Sequence, residues 1–499
     1  MTVPFDPPAA PARALDALDW APRFAKLPEK FYTRLQPTPL PEPYLIAFNR
    51  DAAPLIGLRP GEEGRADFAA IFTGNQLPAG STPLAAVYSG HQFGVYVPQL
   101  GDGRAISLGE TVGSHGVIEI QLKGAGRTPY SRSGDGRAVL RSSIREYLCS
   151  EAMHGLGVPT TRALAITGSE QPIIRETVES AAVVTRLAPS FVRFGSFEFW
   201  YHRRDAEAVR HLADYVIREF YPEFEGAEDR YARFLREVAR RTARMIAHWQ
   251  AVGFMHGVMN TDNMSILGLT LDYGPYGFME AFDPGHICNH TDEAGRYAYN
   301  MQPRVGLWNL YALGQALVPL MEPEVIETEL KSYEAEFDSA LNTLMRAKLG
   351  LTSTHADDHA LVVELFALMA ESRVDYTLFF RQLSRLHAAD ASADATVRDL
   401  VLNRERFDAW ATNYRARLAL ENSVDAQRCL RMDAANPKYV LRNYLAEIAI
   451  RKARDDKDYS EIENLRKLLM RPYDEQPENE HYAALPPDWA QGLEVSCSS

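Results

Sequence analysis

The hydrophobic periodicity of the chain changes from strand-like to helical, and this change limits the folds that the chain can adopt. Between residues 84 and 125, short apolar runs alternate with glycine turns. In 116–126 (GVIEIQLKGAG) apolar and polar residues alternate, which is the pattern of a strand with one buried face. After Pro222 the apolar residues recur at helical spacing, as in the stripe over 231–249 that precedes Gly253.

One principal helix is predicted within the strand region. Residues 137–156 carry a broad apolar stripe, and the strand-like segments TRALAIT and AAVVTRL follow it. The sequence therefore predicts an α+β fold of two lobes, with a sheet-rich N-lobe and a helical C-lobe. The predicted units are an N-terminal extension packed on the N-lobe (1–80), the N-lobe (81–200), the C-lobe (201–470) and a C-terminal tail (471–499).

The composition of the chain limits the kinds of molecule that it is expected to bind. The chain has 499 residues and a formal net charge of −13, which argues against a nucleic-acid binder held by bulk charge and against a polybasic membrane anchor, while a local basic groove stays open. The longest apolar stretches, such as 361–370, are too short to span a bilayer. Four cysteines cannot form a disulfide framework in a chain of this length, and the N-terminus lacks a secretory pattern. We expect a cytoplasmic protein that binds neither nucleic acid nor membrane.

The strongest chemical signal is the loop His256-Gly-Val-Met-Asn-Thr-Asp-Asn263, with Asp272 following in Asp-Tyr-Gly. Asn263 and Asp272 offer the oxygen ligands that Mg²⁺ or Mn²⁺ accepts. Asp262 is positioned to take a proton from an attacking hydroxyl group. The alternative is an ordinary polar turn, because Asn, Asp and Gly are common in turns for backbone reasons. The ordered set behind a long predicted helix favours a functional site.

A second signal is phosphate chemistry in the N-lobe. Glycines of the Gly-Asp-Gly-Arg sequence at 101–104 let the backbone approach a ligand, although a simple hairpin accounts for them equally. Lys123 ends its predicted strand on the polar face. A second Gly-Asp-Gly-Arg sequence at 134–137 begins the predicted helix, where backbone N–H groups and the helix dipole favour an anion.

Further charged residues extend this candidate phosphate site. Glu146 on the predicted helix can pair with Lys123 and direct its ammonium group, although a surface position is the commoner fate of a helical Glu. Arg186 and Arg193 can complete a clamp, because the planar guanidinium suits phosphate. The alternative for either Arg is an ordinary surface ion pair.

The order of these features resembles the protein-kinase-like fold: a Gly-rich turn, a strand Lys, a helix Glu, a long helix, a His-containing loop with Asn, and Asp-x-Gly. One position departs from kinases. Their loop reads His-Arg-Asp, and Val258 stands where that Asp positions the accepting hydroxyl group.

Longer segments resemble one family, the selenoprotein O family of YdiU-like protein adenylyltransferases, which have long been labelled pseudokinases. They are 88–105, 120–148, 256–278 and 287–310. The resemblance implies transfer of AMP from ATP to Ser, Thr or Tyr hydroxyl groups of target proteins, with release of pyrophosphate. It also implies that ATP lies flipped relative to kinases, so that the α-phosphate faces the acceptor.

The resemblance implies a role for individual residues. Asp262 matches the proposed catalytic base, Glu146 the partner of Lys123, and Asn263 and Asp272 the ligands of Mg²⁺ or Mn²⁺. The residues expected to contact ATP are Gly101, Gly103, Arg104, Lys123, Asp135, Gly136, Arg186, Arg193 and Asp272.

Two other functions stay open on the sequence. One is an atypical protein kinase that transfers the γ-phosphoryl group. The other is a catalytically inactive ATP-binding pseudokinase scaffold, which Val258 suggests. Transfer of label from the α- or the γ-phosphate of ATP separates the three functions.

The tail ends in Val-Ser-Cys-Ser-Ser, and selenocysteine-containing members of the family carry selenocysteine where this chain has Cys497. A near-terminal thiol can act as a redox switch by pairing with another thiol such as Cys288. An inert exposed cysteine is the equal alternative.

Overall fold

The computed structural model describes residues 12–493, in which strands dominate the first part and helices the rest. The strands are β1 (Tyr32–Arg34), β2 (Tyr44–Phe48), β3 (Leu84–Ala86), β4 (Gly90–Gln92), β5 (Val95–Val97), β6 (Ala105–Gly113), β7 (Gly116–Lys123), β8 (Ala138–Val139), β9 (Arg162–Ile174), β10 (Val178–Ala188), β11 (Phe254–Met255) and β12 (Gly277–Phe278). The helices are α1 (Phe68–Thr73), α2 (Leu140–Gly155), α3 (Phe194–His202), α4 (Ala206–Phe220), α5 (Arg230–Val252), α6 (Gln302–Ala316), α7 (Pro323–Leu330), α8 (Ser332–Lys348), α9 (Asp358–Ser372), α10 (Tyr376–Leu383), α11 (Ala395–Arg398), α12 (Arg404–Leu420), α13 (Asp425–Ala435), α14 (Asn443–Arg451) and α15 (Ser460–Leu469). The α+β architecture with a sheet-rich N-terminal part and a helical C-terminal part is confirmed.

The N-lobe is an antiparallel sheet of eight strands in the order β1-β3-β6-β7-β10-β9-β2, with β8 paired to β10. The alternation in β7 sends Ile118, Ile120 and Leu122 into one apolar core. The polar residues of the same strand face the other way, yet Gln121 and Lys123 are also buried. The polar face of β7 is therefore an internal surface, and its charges need partners inside the molecule.

The segment before β3 completes this sheet. β1 and β2 form the two edges of the sheet, and both strands belong to the N-terminal segment. Trp20 forms a bridge to Thr111 on β6, and Phe68 and Phe72 of α1 pack into the core beneath the sheet. The sheet thus depends on residues that precede 81.

The C-terminal helices return to the N-lobe. Helices α14 and α15 pack against α2, which is buried along most of its length. Arg466 on α15 donates to Asn49 Oδ1 at 3.1 Å and contacts Asp51 Oδ2 at 2.7 Å. Residues 443–469 therefore connect the two lobes, although they lie inside the predicted C-lobe range.

Helix α5 is the central helix of the C-lobe. Its buried stripe includes Tyr231, Phe234 and Trp249, and it packs against α6, α7 and α8. Gly253 ends the helix in a left-handed conformation with φ +71°. The loop that begins at Phe254 then carries the candidate catalytic residues. No helix in residues 12–493 is long and apolar enough to cross a membrane.

Candidate functional site

Basic side chains of the N-lobe and carboxylates from both lobes form one buried network. Lys123 places its Nζ 2.6 Å from Glu146 Oε2 on α2. The other Glu146 oxygen lies 2.6 Å from Arg186 Nε, and Arg186 Nη2 lies 2.7 Å from Asp272 Oδ1. Arg193 Nη1 contacts the second oxygen of Asp272. The structure thus brings together five of the residues that the sequence analysis selected.

Strand register explains why Lys123 and Arg186 share a face. β7 and β10 pair antiparallel, with Arg186 directly opposite Gln121, two residues before Lys123. Residues directly opposite in a sheet point to the same side, as do residues two apart on one strand. Arg186 Nη1 also donates to Gln121 Oε1 at 3.1 Å. Both cations are consequently directed toward α2 and the C-lobe loop.

The network carries one surplus positive charge. Burial and the neighbouring Arg186 lower the pKa of Lys123 to about 8, so its ammonium form still prevails at neutral pH. Burial opposes ionisation of Asp272, but Arg193, Arg186 and Lys123 together hold its pKa well below the usual range. Arg186 and Lys123 likewise outweigh burial and lower the pKa of Glu146. Three cations against two carboxylates leave 3 − 2 = +1, which suits an anionic ligand.

Asp262 has a different environment from Asp272. Burial raises the pKa of Asp262 to about 7, and Arg193 opposes this only in part. Gln92 Nε2 donates to Asp262 Oδ2 at 3.2 Å, whereas Oδ1 is buried with no hydrogen-bond partner within residues 12–493. A Cβ on Gly90 would lie 2.7 Å from this oxygen, so the β4–β5 hairpin covers it closely. A carboxylate with a pKa near neutrality can accept a proton from a hydroxyl group that reaches it, which here requires the hairpin to move away from Oδ1.

Asn263 and Asp272 have the chemistry of a hard-cation site. Asn263 Nδ2 donates to the Val258 carbonyl at 3.0 Å, which orients the amide and makes its Oδ1 the ligand atom. Asp272 supplies two carboxylate oxygens, and its backbone is left-handed with φ +58°. Both oxygens contact Arg side chains, but each carboxylate oxygen has a further lone pair for a cation. The donor set therefore fits Mg²⁺ or Mn²⁺.

His256 connects the catalytic loop with the segment that carries Asp272. Its ring is buried, and Nε2 donates to the Leu271 carbonyl at 2.9 Å. Burial lowers the pKa of His256, which keeps the ring neutral. Trp249 of α5 stacks on it with ring centroids 5.4 Å apart and donates to Thr270 Oγ1 at 2.8 Å. Helix α5 therefore fixes the position of Asp272 through two side chains of the loop.

The first Gly-Asp-Gly-Arg sequence lies between β5 and β6, where it packs against the chain near Tyr130. A Cβ on Gly101 would lie 2.6 Å from the Tyr130 ring, and one on Gly103 would lie 2.8 Å from its carbonyl. Gly101 also has φ +110°, so both positions require glycine. Arg104 interacts electrostatically with Lys123, which places its charge near the network.

The second Gly-Asp-Gly-Arg sequence has other partners. Asp135 contacts Arg175 at 2.8 Å and accepts the Arg137 backbone N–H at 2.9 Å. Its side chain is 45% exposed. A Cβ on Gly136 would lie 2.2 Å from the Gly126 backbone, so this turn is tightly closed. Within residues 12–493 none of these contacts joins Asp135 to the buried charge network, and its contact with ATP stays a prediction.

Of the two cysteines in the predicted thiol pair, the structure describes Cys288. Cys288 Sγ donates to the Pro275 carbonyl at 2.9 Å, close to the loop that carries Asp272. Cys497 lies outside the described residues. The redox pairing therefore stays a prediction.

Several residues that no sequence pattern marked for a role contact the catalytic loop. The backbone N–H of His91 donates to Thr261 Oγ1 at 2.7 Å, and Gln92 contacts Asp262. The Thr261 hydroxyl donates to Glu198, which is 1% exposed. His91 and Gln92 lie in a segment that resembles the family, which is the signal that could have selected them, whereas nothing local marks Glu198 on its helix.

Comparison with known proteins gives one consistent family. The family described as protein adenylyltransferase SelO matches residues 14–470. A protein nucleotidyltransferase YdiU from Herminiimonas arsenicoxydans is 60% identical over 491 residues, which covers 97% of this chain and 98% of that protein. Proteins of the same name from Paraburkholderia xenovorans and Dechloromonas aromatica are 57% and 59% identical, and they cover 98% and 95% of this chain, with 98% and 97% of their own lengths matched.

These matches extend over almost the whole length of the chain and of its relatives. The chain belongs to the protein adenylyltransferase SelO family.

Proposed function

We propose that this member of the family transfers AMP from ATP to a Ser, Thr or Tyr hydroxyl group of a target protein. The acceptor oxygen attacks the α-phosphorus, the bond between the α-phosphorus and the bridging oxygen breaks, and pyrophosphate leaves. The hydroxyl proton passes to Asp262. The single observation that supports this assignment best is the network in which Lys123, Arg186 and Arg193 meet Glu146 and Asp272 beside the loop that carries Asp262.

The basic residues stabilise the negative charge of the phosphates during the reaction. Lys123, Arg186 and Arg193 point toward the C-lobe loop and neutralise charge on the phosphates, which is the main catalytic contribution in such transfers. Glu146 holds Lys123 and Arg186 in place. Arg104 interacts electrostatically with Lys123, and the glycines at 101 and 103 precede it in the same turn.

Asn263 and Asp272 would hold the divalent cation, Mg²⁺ or Mn²⁺. A bound cation polarises phosphate oxygens and stabilises the charge that develops on them. Asp272 already has two cationic neighbours, so binding of the cation without ATP is electrostatically opposed. ATP supplies the compensating negative charge and further oxygen ligands.

Family and composition support the proposed acceptors and the proposed location of the protein. Hydroxyl-bearing proteins are the proposed partners, and the low cysteine content supports a reducing, cytoplasmic compartment. Val258 does not argue against catalysis, because Asp262 provides the base from a different position in the same loop.

Separately labelled nucleotides test the reaction. The purified protein is incubated with divalent cation and a heat-treated cell extract, in which endogenous kinases are inactive, and with ATP labelled at either the α- or the γ-phosphate. We expect covalent label on proteins only from α-labelled ATP. Label from the γ-position would identify a kinase, and label from neither position an inactive scaffold.

Matched variants link this activity to the site. Asp272→Ala should abolish α-labelling, because it removes a cation ligand and the partner of two Arg side chains. Asp283→Ala is a suitable control, since Asp283 is a partly exposed Asp whose ion pair with Arg373 lies outside the network. Undiminished labelling by Asp272→Ala would contradict the cation site.

A further inference from the structure

A second cluster of ligand-type side chains lies beside the catalytic loop, outside the nucleotide network. His91 from the β4–β5 hairpin and Glu198 and His202 from α3 each offer an atom, and these atoms all lie within 4.8 Å of one another. Among the described residues this is the one group of at least three His, Cys, Asp or Glu side chains with such geometry. No residue of the proposed transfer mechanism belongs to it.

We propose that His91, Glu198 and His202 bind a divalent transition-metal ion of the Zn²⁺ class. Two imidazole nitrogens and one carboxylate oxygen form a ligand set that suits Zn²⁺, whereas Mg²⁺ requires oxygen ligands. Three protein ligands leave a fourth position for water. This site therefore differs in chemistry from the oxygen site of Asn263 and Asp272.

The fold builds the site from two elements. Glu198 and His202 are four residues apart on α3, so they lie on the same face one turn apart. His91 Nδ1 contacts Glu198 Oε1 from the hairpin. Glu198 is 1% exposed while His202 is exposed, so a buried carboxylate meets an imidazole that solvent reaches. An ion can consequently enter from the His202 side.

Outer contacts orient these ligands. The Thr261 hydroxyl donates to the second oxygen of Glu198, which leaves the first oxygen directed at His91. Tyr96 packs on His202 with ring centroids 3.8 Å apart, and Trp308 packs on His91 with centroids 5.3 Å apart. Hydrogen-bonded carboxylates and packed rings are the usual support of metal ligands.

An ion bound at this cluster would affect the β4–β5 hairpin, which lies next to the catalytic loop. The backbone N–H of His91 donates to Thr261 Oγ1, and the side-chain amide of the next residue, Gln92, donates to Asp262. An ion held by His91 and α3 would fix the hairpin that covers the proposed base. The site would thus stabilise one position of the β4–β5 hairpin over the catalytic loop.

Direct binding of the metal tests the proposal. The full chain is freed of metal with a chelator, titrated with Co²⁺ without nucleotide, and followed by the visible absorption of Co²⁺ with nitrogen ligands. We expect saturation at a single equivalent and displacement by Zn²⁺. His202→Ala should weaken Co²⁺ binding by at least about 10–100-fold, because loss of a residue that only orients a metal ligand already has an effect of that size. His202 is exposed, so this variant should keep its fold, which its melting temperature checks.

The chain contains a matched control. His211 lies four residues after Glu207 on α4, with the two side chains 3.9 Å apart and exposed, and it is not part of the three-residue group. His211→Ala should leave Co²⁺ binding unchanged, and so should Asn263→Ala, because the nucleotide site is separate. Equal titration of the natural protein and His202→Ala would overturn the proposal, as would absence of the absorption band. Neither result depends on the transfer activity, so failure here leaves the proposed function untouched.

Discussion

At the residue scale, two aspartates of the site differ because their neighbours differ. Asp272 contacts two guanidinium groups, which hold its pKa far below the usual range despite burial. Burial raises the pKa of Asp262 to about 7, since its hydrogen-bond donor is the neutral amide of Gln92. One carboxyl is therefore a permanent anion suited to a cation, and the other exchanges a proton near neutral pH.

The pH dependence of kcat/KM follows from these pKa values. Asp262 acts as a base only when ionised, so activity should rise with pH through about 7. Lys123 contributes positive charge only when protonated, so activity should fall as pH passes about 8. We expect a bell-shaped profile for labelling from α-labelled ATP. A profile that stays flat from acid to neutral pH would exclude Asp262 as the base.

Replacement of the base gives a second residue-scale prediction. Asp262→Asn keeps the shape of the side chain and the contact with Gln92, but it cannot accept a proton. Turnover should fall by about 10²–10⁴-fold while ATP affinity stays close to that of the natural protein. Labelling rates and nucleotide binding measured on the same preparation check this. Unchanged turnover would assign Asp262 a positioning role only.

At the element scale, Glu146 ties helix α2 to strands β7 and β10 through Lys123 and Arg186. Glu146→Ala leaves both cations buried without this partner, so the free energy of unfolding should fall by about 3–5 kcal/mol. Asp408→Ala is the control, because Asp408 is half exposed in its pair with Arg398 and should change stability by about 0–1 kcal/mol. Urea unfolding measures both. Equal effects would mean that the buried network does not stabilise the N-lobe.

Helix α5 ends where the catalytic loop begins, and its end depends on Gly253. The residue has φ +71°, and a Cβ there would lie 2.9 Å from the Tyr376 ring. Gly226→Ala provides the comparison, because Gly226 has φ +84° with nothing within 4 Å. Gly226→Ala should cost about 1–2 kcal/mol of unfolding free energy from backbone strain alone. Gly253→Ala should cost roughly 1–3 kcal/mol more from the steric conflict, as thermal or urea unfolding would show.

At the scale of the whole molecule, the N-lobe sheet is not self-sufficient. Its edge strands come from the N-terminal segment, and α14 and α15 cover helix α2. A fragment of residues 81–200 should therefore fail to fold, since it lacks both edges and exposes the apolar surface of α2. Its amide NMR spectrum should lack dispersion, while the full chain serves as the folded reference. A well-dispersed spectrum of the fragment would show that the lobe folds independently.

Local sequence patterns predicted the helices and strands, but not the contacts between residues that are far apart in the chain. The alternation in β7, the stripe of α5 and the residue types from His256 to Asp272 follow from neighbours in the sequence, and the structure contains each of them. The sequence also indicated that Lys123 and Glu146 belong together, because the resemblance to a family supplied a long-range relation that periodicity cannot.

The sequence by itself determined the two-lobe α+β architecture, the family and the types of residue available for chemistry, because periodicity and turn residues act over a few positions. Only the tertiary structure decided which of those residues meet. The hairpin that covers Asp262, the approach of His91 to Glu198 and His202, and the return of α15 to Asn49 join residues far apart in the chain. Such contacts depend on how the buried surfaces of whole elements pack, and no local pattern contains that information.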